Sequence, residues 1–305
     1  MRKLKQILAL TALLFVSRTT LDAQDSTVAV AALEMRGPMP VVEVKLNGQG
    51  PFAFMIDTGA GMQADIDTSV AERLGLRASG TAINGDPSGE NDREVATVTI
   101  DSIVFGSVPK GTRARRTGEG AVEFRNVTAI VRPHKITKDY PEVDGILGFG
   151  LFSDYLLTLD YPSMQVRLAR GELPPANGVE VLSFAIENRI PIVELAIGKI
   201  KIPAHIDSGN FVAGFILPEE IVEQLQTISQ PVSVGYARSV TNRIELKQVQ
   251  LRGSIRIGGF EFLQPIVEFP APADTNVGFR VLRDFVLTFD QKNNRIKLEQ
   301  PAKAN

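Results

Sequence analysis

The stretch Phe52-Ala53-Phe54-Met55-Ile56-Asp57-Thr58-Gly59-Ala60-Gly61 decides how this chain is interpreted. Its apolar half is bounded by glycines and predicts a buried strand. A carboxylate at the end of such a strand is partly removed from water, which is costly for an unpaired charge. Thr58 and Gly59 suit a tight loop whose backbone N–H groups lie near that carboxylate. Taken alone, the triplet Asp57-Thr58-Gly59 could simply open a turn.

The same signature recurs further along the chain as Ile202-Pro203-Ala204-His205-Ile206-Asp207-Ser208-Gly209-Asn210. Three blocks recur in the same order: 40–48 returns as 191–198, 148–160 as 278–290 and 166–168 as 296–298. The repeated unit is about 130–150 residues long, which is the size of one small domain and too long for a solenoid repeat.

This internal duplication predicts two similar lobes. A short Pro/Gly-rich segment separates the two copies and marks the expected boundary between them. We expect the following division: N-terminal lobe 25–172, linker 173–178, C-terminal lobe 179–300 and a tail at 301–305.

Residues 1–24 do not fit either lobe. Arg2, Lys3 and Lys5 precede an apolar run from Ile7 to Ser17, and a small residue suited to cleavage follows. The run is too short to span a bilayer, so the pattern is typical of a secretory signal peptide. We therefore expect an exported protein, periplasmic or secreted after cleavage, with no stable membrane span. The alternative is an amphipathic first helix.

Composition excludes several classes of function. The 33 basic and 35 acidic residues give no basic surplus, so nucleic acid is not an expected partner. Cysteine is absent, which excludes disulfides and thiolate metal sites. Two histidines far apart in sequence do not suggest a metal centre, so we expect no metal and no cofactor. We predict that His134 lies in a surface loop and that His205, which shares a strand face with Asp207, is structural.

Most of the mature chain has the pattern of short β-strands. The helical pattern is scarce: a capping box begins one helix at Ser69 with Glu72 three residues on, and Pro218 stands at the first helical position of its counterpart. The expected strands are rich in Val, Ile, Thr and Phe and cover 27–34, 40–46, 52–56, 95–105, 127–131, 156–160, 164–168, 179–186, 191–197, 200–206, 231–236, 243–257, 260–269, 285–290 and 294–299.

Together these features resemble the pepsin/retropepsin superfamily of aspartic proteases, and most closely bacterial exported retropepsin-like proteins with two lobes in one chain. In that family each Asp-[Thr/Ser]-Gly loop is threaded by a later strand with two apolar residues and a glycine. Asp144-Gly145-Ile146-Leu147-Gly148 matches the first such element, and Asn276-Val277-Gly278 matches the second except at Asn276. The resemblance implies an all-β, bilobal acid-protease fold with two pseudo-twofold-related, β-barrel-like lobes and a few short helices.

The resemblance implies an aspartic endopeptidase whose catalytic pair is Asp57 and Asp207. Two carboxylates about 3 Å apart cannot both ionise, so the pair holds a single proton. The ionised member can take a proton from a water between them, while the protonated member donates to the scissile carbonyl oxygen. The sequence leaves open which aspartate is the base and which the acid.

Other site residues follow from the same resemblance. The hydroxyls of Thr58 and Ser208 are expected to hydrogen-bond across the lobes, and Gly59 and Gly209 to let backbone N–H groups approach the carboxylates. The residues after these glycines are Ala60 and Asn210, where pepsins commonly have serine or threonine and retroviral enzymes have alanine.

Two hairpins could cover the substrate. One is predicted around Asn84 and Gly85, and the other contains Tyr236. The expected substrate is a peptide or protein in extended conformation, held by main-chain hydrogen bonds. Because one chain carries both aspartate loops, no oligomer is required for catalysis.

Two other functions compete with the endopeptidase. One is a non-catalytic, inhibitor-like member of the same fold that binds peptides or proteins, with the dyad geometry lost. The other is an exported β-sandwich adhesion module, which would leave the two matched triplets unexplained. Retention of both aspartates, both hydroxyls and both glycines favours the enzyme.

Overall fold

The computed structural model describes residues 27–85, 93–106, 120–134, 143–238, 243–269 and 274–301. The predicted signal peptide at 1–24 lies outside the described residues, as does almost all of the tail. The described part contains three short α-helices, α1(Thr68–Arg73), α2(Glu219–Val222) and α3(Phe279–Leu282), and a 3-10 helix at Phe149–Phe152.

The predicted all-β fold is confirmed. In chain order the strands are β1(Thr27–Ala32), β2(Glu34–Arg36), β3(Met39–Leu46), β4(Gln49–Asp57), β5(Ala64–Asp67), β6(Ala78–Asn84), β7(Arg93–Phe105), β8(Val122–Arg132), β9(Gly145–Gly148), β10(Leu156–Asp160), β11(Gln165–Ala169), β12(Val181–Ser183), β13(Ala185–Glu187), β14(Ile190–Ile197), β15(Ile200–Ile206), β16(Phe215–Ile216), β17(Val232–Arg238), β18(Arg243–Gln250), β19(Ser254–Ile257), β20(Phe260–Leu263), β21(Ile266–Glu268), β22(Asn276–Val277), β23(Val286–Asp290) and β24(Arg295–Glu299).

The first lobe is built on an eight-stranded sheet in the order β2-β3-β4-β9-β5-β8-β7-β6. Strand β4, which ends in Asp57, lies between two neighbours, so its apolar run from Phe52 to Ile56 is buried. Strand β9 threads beside it in parallel and places Gly148 opposite Asp57. It also pairs antiparallel with β5.

The second lobe repeats this arrangement in a ten-stranded sheet. Its main path runs β17-β18-β21-β16-β22-β15-β14-β19-β20, with β13 paired to β14. Strand β22 lies parallel to β15, with His205 opposite Asn276 and Ile206 opposite Val277, and antiparallel to β16. The duplicated sequence blocks therefore form the same threaded element twice.

A six-stranded sheet in the order β1-β11-β10-β23-β24-β12 joins the two lobes. At its centre β10 and β23 are antiparallel, with Thr158 opposite Thr288 and their hydroxyls 3.0 Å apart. Phe149 of the first lobe packs edge-on against Phe289 with ring centroids 5.3 Å apart, and one hydrophobic core runs through both halves. The segment 173–178 runs between two strands of this shared sheet, and the lobe bounds remain predictions.

Two helix starts differ from the predicted ones. The N-cap of α1 is Asp67, whose Oδ1 accepts from the Ser69 N–H at 2.8 Å; the predicted capping box at Ser69 is therefore wrong, because the carboxylate already satisfies that donor. Pro218 is the N-cap of α2 rather than its first helical residue. In the part of the chain that is described, no helix is long and apolar enough to cross a bilayer.

Strand bounds differ mainly where strands are short. The pattern missed β5, β6, β9, β16 and β22, most of which are too short for a periodic signal. It also joined strands that are separate: β18 and β19 are interrupted before Ser254, and β20 and β21 are interrupted at Gln264, which has a φ of 49°.

Candidate active site

The fold brings together Asp57, the last residue of β4, and Asp207, the residue after β15. Their carboxyl groups hydrogen-bond to one another. The Gly59 N–H donates to Asp57 Oδ1 at 2.8 Å, and the Gly209 N–H donates to Asp207 Oδ1 at 2.9 Å. A Cβ at Gly59 would lie 2.6 Å from Asp207 Cγ, and one at Gly209 would lie 2.3 Å from Asp57 Cγ. Each glycine thus makes room for the carboxylate of the opposite lobe.

The surroundings of Asp57 disfavour its ionised form. Although part of its surface faces the cleft, Asp57 is surrounded by protein atoms, and this loss of hydration raises its pKa well above the usual range. The nearby Asp207 raises the pKa of Asp57 further, while the Gly59 N–H and the charge of Arg132 oppose the rise. Two carboxyl groups in this relation titrate as a pair and retain one proton after the first ionisation.

Thr58 and Ser208 lock the two loops together. The Thr58 hydroxyl donates to the Ile206 carbonyl at 2.6 Å and accepts from the Ser208 N–H at 3.0 Å. Reciprocally, the Ser208 hydroxyl donates to the Ile56 carbonyl at 2.8 Å and accepts from the Thr58 N–H at 3.0 Å. Both residues are fully buried. The cross-lobe hydrogen bonds expected from the resemblance are therefore present.

Tyr161 lies beneath this lock and was missed from the sequence. Burial raises the pKa of Tyr161, so its hydroxyl stays neutral beside the Ser208 side chain. Its ring packs edge-on against Phe279 with centroids 5.0 Å apart. The matching position in the second lobe is Gln291, whose Nε2 donates to the Phe149 carbonyl instead. A local pattern carries no signal for this contact.

Asn276 was noted from the sequence only as a departure from an apolar position. In the structure its side-chain amide donates to Asp207 Oδ2 at 2.5 Å. Asn210 supports it: the Asn210 Nδ2 donates to Asn276 Oδ1 at 2.8 Å, and the Asn210 backbone N–H donates to Asp207 Oδ1 at 3.0 Å. A polar residue at a position predicted to be buried is a signal that could have identified it, because buried polar groups need partners.

His134 lies in a loop just after β8, as predicted, but the prediction that it lies at the surface is wrong for its side chain. Its side chain is 7% exposed and its Nε2 lies 2.8 Å from Oδ1 of Asp65, which is fully buried. Arg132 binds the other oxygen of Asp65. A buried carboxylate requires such partners, and Asp65 therefore draws His134 inward. Among the described residues, no cluster of three or more histidine and carboxylate side chains is placed to hold a metal ion.

The two predicted hairpins are present, and their contacts with a substrate remain predictions. Asn84 ends β6 opposite Arg93 of β7, and Gly85 follows it; the tip at 86–92 lies outside the described residues. Tyr236 lies on β17 opposite Glu245 and is 55% exposed. His205 lines a pocket whose wall does not include either aspartate of the dyad.

Two Asp-[Thr/Ser]-Gly loops that meet across a bilobal all-β fold define a retropepsin-like aspartic protease architecture. Residues 42–151 match the sequence model of a family described as Aspartyl protease. This match supports a retropepsin-like aspartic protease family for the chain. The matched segment contains the Asp57 loop and strand β9. The family supports a protease function. No curated protein matches the chain.

Proposed function

We propose that the protein is an aspartic endopeptidase that hydrolyses peptide bonds in the cleft between its lobes, with Asp57 and Asp207 as the catalytic pair. One observation carries this proposal: the two loops bring the carboxyl groups of Asp57 and Asp207 together, and each carboxyl group accepts the glycine N–H of its own loop. A buried pair of this kind is costly to ionise fully, which suits it to hold and transfer one proton.

The proposed reaction needs only the shared proton and a water between the carboxyl groups. The ionised carboxylate takes a proton from the water as its oxygen adds to the peptide carbonyl carbon. The protonated carboxyl donates its proton to the carbonyl oxygen, which gives a neutral tetrahedral diol. Proton transfer to the nitrogen then lets the C–N bond break, with a carboxylic acid and an amine as products. No covalent intermediate is formed, and no cofactor is part of the proposal.

The buried lock between the loops supports catalysis through position. Thr58 and Ser208 are fully buried and hold the loops by four hydrogen bonds. Such a lock limits the separation of the carboxyl groups, and sub-ångström placement of reacting groups is a large part of catalytic rate. Because both loops come from one chain, the proposed site does not require an oligomer.

The proposed substrate is an extended peptide or protein segment. The hairpins that carry Asn84, Gly85 and Tyr236 are the proposed cover, and an extended chain between them would gain main-chain hydrogen bonds. We also propose that residues 1–24 direct export, because a basic start followed by a short apolar run is typical of a signal peptide.

The test is cleavage of a mixed peptide library from pH 3 to pH 8 by the protein without residues 1–24, with products identified by mass spectrometry. Asp57→Asn and Asp207→Asn provide matched controls that keep side-chain shape. Wild-type cleavage that both variants lose is the expected result. Wild-type turnover equal to that of the variants contradicts the enzyme, and peptide retention without cleavage identifies the non-catalytic binding protein instead.

A further inference from the structure

The two carboxyl groups of the dyad receive different numbers of hydrogen bonds. Among the described residues, Asp57 accepts the Gly59 N–H in addition to its bond with Asp207. Asp207 accepts the N–H groups of Gly209 and Asn210 on Oδ1 and the Asn276 amide on Oδ2. Hydrogen bonds donated to a carboxylate favour its ionised form. The pair is therefore asymmetric, and the asymmetry comes from the second lobe.

A backbone donor fixes the direction of the amide chain that ends at Asp207. The Ala213 N–H can only donate, so the Asn210 atom 3.1 Å from it is the side-chain oxygen. The Asn210 NH₂ group therefore faces Asn276 Oδ1 at 2.8 Å. This leaves the Asn276 NH₂ group directed at Asp207 Oδ2. Reversal of either amide would place two donors or two acceptors against each other.

Among the described residues of the first lobe, no side-chain amides form a counterpart of this pair. Asn276 lies opposite His205 in the second lobe, and Ile146 lies opposite Met55 in the first. Ile146 is therefore the first-lobe equivalent of Asn276. Ile146 is buried and apolar, and Ala60 stands where the second lobe has Asn210. The two lobes share the Asp-[Thr/Ser]-Gly triplet, but only the second has an amide side chain at each of these two positions.

Gly278 makes room for the amide chain. A Cβ at Gly278 would lie 2.7 Å from Asn210 Nδ2 and 2.8 Å from Asn210 Cγ. The same position in the first lobe, Gly148, faces the carbonyl oxygens of Met62 and Ala60 instead. Backbone carbonyl oxygens lie close to this position in both lobes, that of Ala213 at 2.6 Å from the Gly278 Cβ position, and the second lobe adds the Asn210 amide.

We propose that Asn276, oriented by Asn210, keeps Asp207 as the ionised base and assigns the shared proton of the dyad to Asp57. This assignment rests on the proposed peptidase reaction for its catalytic meaning. Asp57 then donates to the substrate carbonyl, and Asp207 takes the proton of the water. Asn276 is a positioning residue, since it acts through Asp207.

The other groups near the pair are consistent with this assignment. The positive charge of Arg132 favours ionisation of Asp57, yet burial and the Asp207 charge outweigh it and leave the pKa of Asp57 well above its usual range. The Tyr161 hydroxyl is buried and neutral beneath the loops. Arg132 is itself paired with Asp65, which weakens its effect on Asp57.

The first test is the pH dependence of kcat/KM for Asn276→Leu and Asn210→Ala, which give the second lobe first-lobe character. Loss of a donor to the carboxylate moves the acid limb of the profile to higher pH, by about one pH unit for Asn276→Leu. This equals about a tenfold loss of kcat/KM on the acid side, with a smaller loss near the optimum. Asn293→Ala is the matched control, because Asn293 also donates to a carboxylate, that of Asp290, away from the dyad.

A second readout does not depend on turnover. Carboxyl ¹³C NMR titration of the wild type, with signals assigned from the Asp57→Asn and Asp207→Asn variants, is expected to show Asp57 protonated to higher pH than Asp207. Proton retention by Asp207 in the wild type overturns the proposal, as does an Asn276→Leu profile that coincides with wild type and Asn293→Ala. A wild type that cleaves no peptide but shows the expected titration refutes the proposed function while this proton assignment stands.

Discussion

Ser208→Ala tests the lock between the lobes, because it deletes one hydroxyl and leaves the backbone in place. That hydroxyl donates to the Ile56 carbonyl at 2.8 Å and accepts from the Thr58 N–H at 3.0 Å. Since Ser208 and Thr58 are fully buried, the groups that lose their partner have no ready access to water.

The expected cost follows from these contacts. A hydrogen bond contributes about 1 kcal/mol net, and a buried group left without a partner costs about 1–3 kcal/mol. Two backbone groups lose their partner, so Ser208→Ala should lower the free energy of unfolding by about 2–4 kcal/mol. For a chain of this size each kcal/mol corresponds to about 2–4 °C, so Tm should fall by about 5–15 °C.

The assay is urea and thermal unfolding of both proteins, with Ser254→Ala as the matched control. Ser254 donates to Glu261 at 2.6 Å on the exposed surface, and water can replace that bond, so its loss should cost less than about 0.5 kcal/mol. Thr58→Ser keeps a hydroxyl at position 58 and removes one buried methyl group. Its free energy of unfolding should fall by about 1 kcal/mol. If Ser208→Ala is no less stable than Ser254→Ala, the lock does not stabilise the fold.

Three further substitutions have distinct expected outcomes. The raised pKa of Asp57 means that the folded state binds its proton more tightly than the unfolded state, so the free energy of unfolding falls as pH rises and Asp57 ionises. Asp57→Asn removes this cost and should raise the free energy of unfolding by on the order of 1 kcal/mol at pH 7. Near pH 3, where Asp57 is protonated, denaturant titrations should show no gain. Asp65→Ala leaves Arg132 without its buried partner and should cost about 3 kcal/mol in the same titrations, whereas Glu123→Ala, in an exposed pair, should cost under about 0.5 kcal/mol. Gly209→Ala would place a Cβ 2.3 Å from Asp57 Cγ and should lower kcat at least about a hundredfold, and unchanged turnover would contradict the close approach of the loops.

The sequence predicted the parts of the site that depend on the pattern of residues close together in the chain. The apolar run before Asp57 marks a buried strand, and its repetition before Asp207 marks a second lobe. The Asp144–Gly148 element was recognised through its resemblance, although a strand of four residues, β9, has no periodicity of its own.

The parts that could not be predicted are contacts between residues far apart in sequence. Asn276 reaches Asp207 across 69 positions, and His134 reaches Asp65 across the same number. Tyr161 follows directly after the end of a repeated block, and nothing in the local sequence indicates that its ring lies beneath the site. In each case a buried polar atom selects its partner by hydrogen-bond geometry after the chain has folded.

The most direct measurement of the central claim is kcat/KM on one cleaved peptide for wild type, Asp57→Asn, Asp207→Asn and the double variant, each shown to be folded. If the two carboxyl groups act as one unit that shares a proton, each single substitution should cost at least about a thousandfold, and the double variant should lose little more. A single variant within about tenfold of wild type, or losses that multiply in the double variant, would contradict the claim.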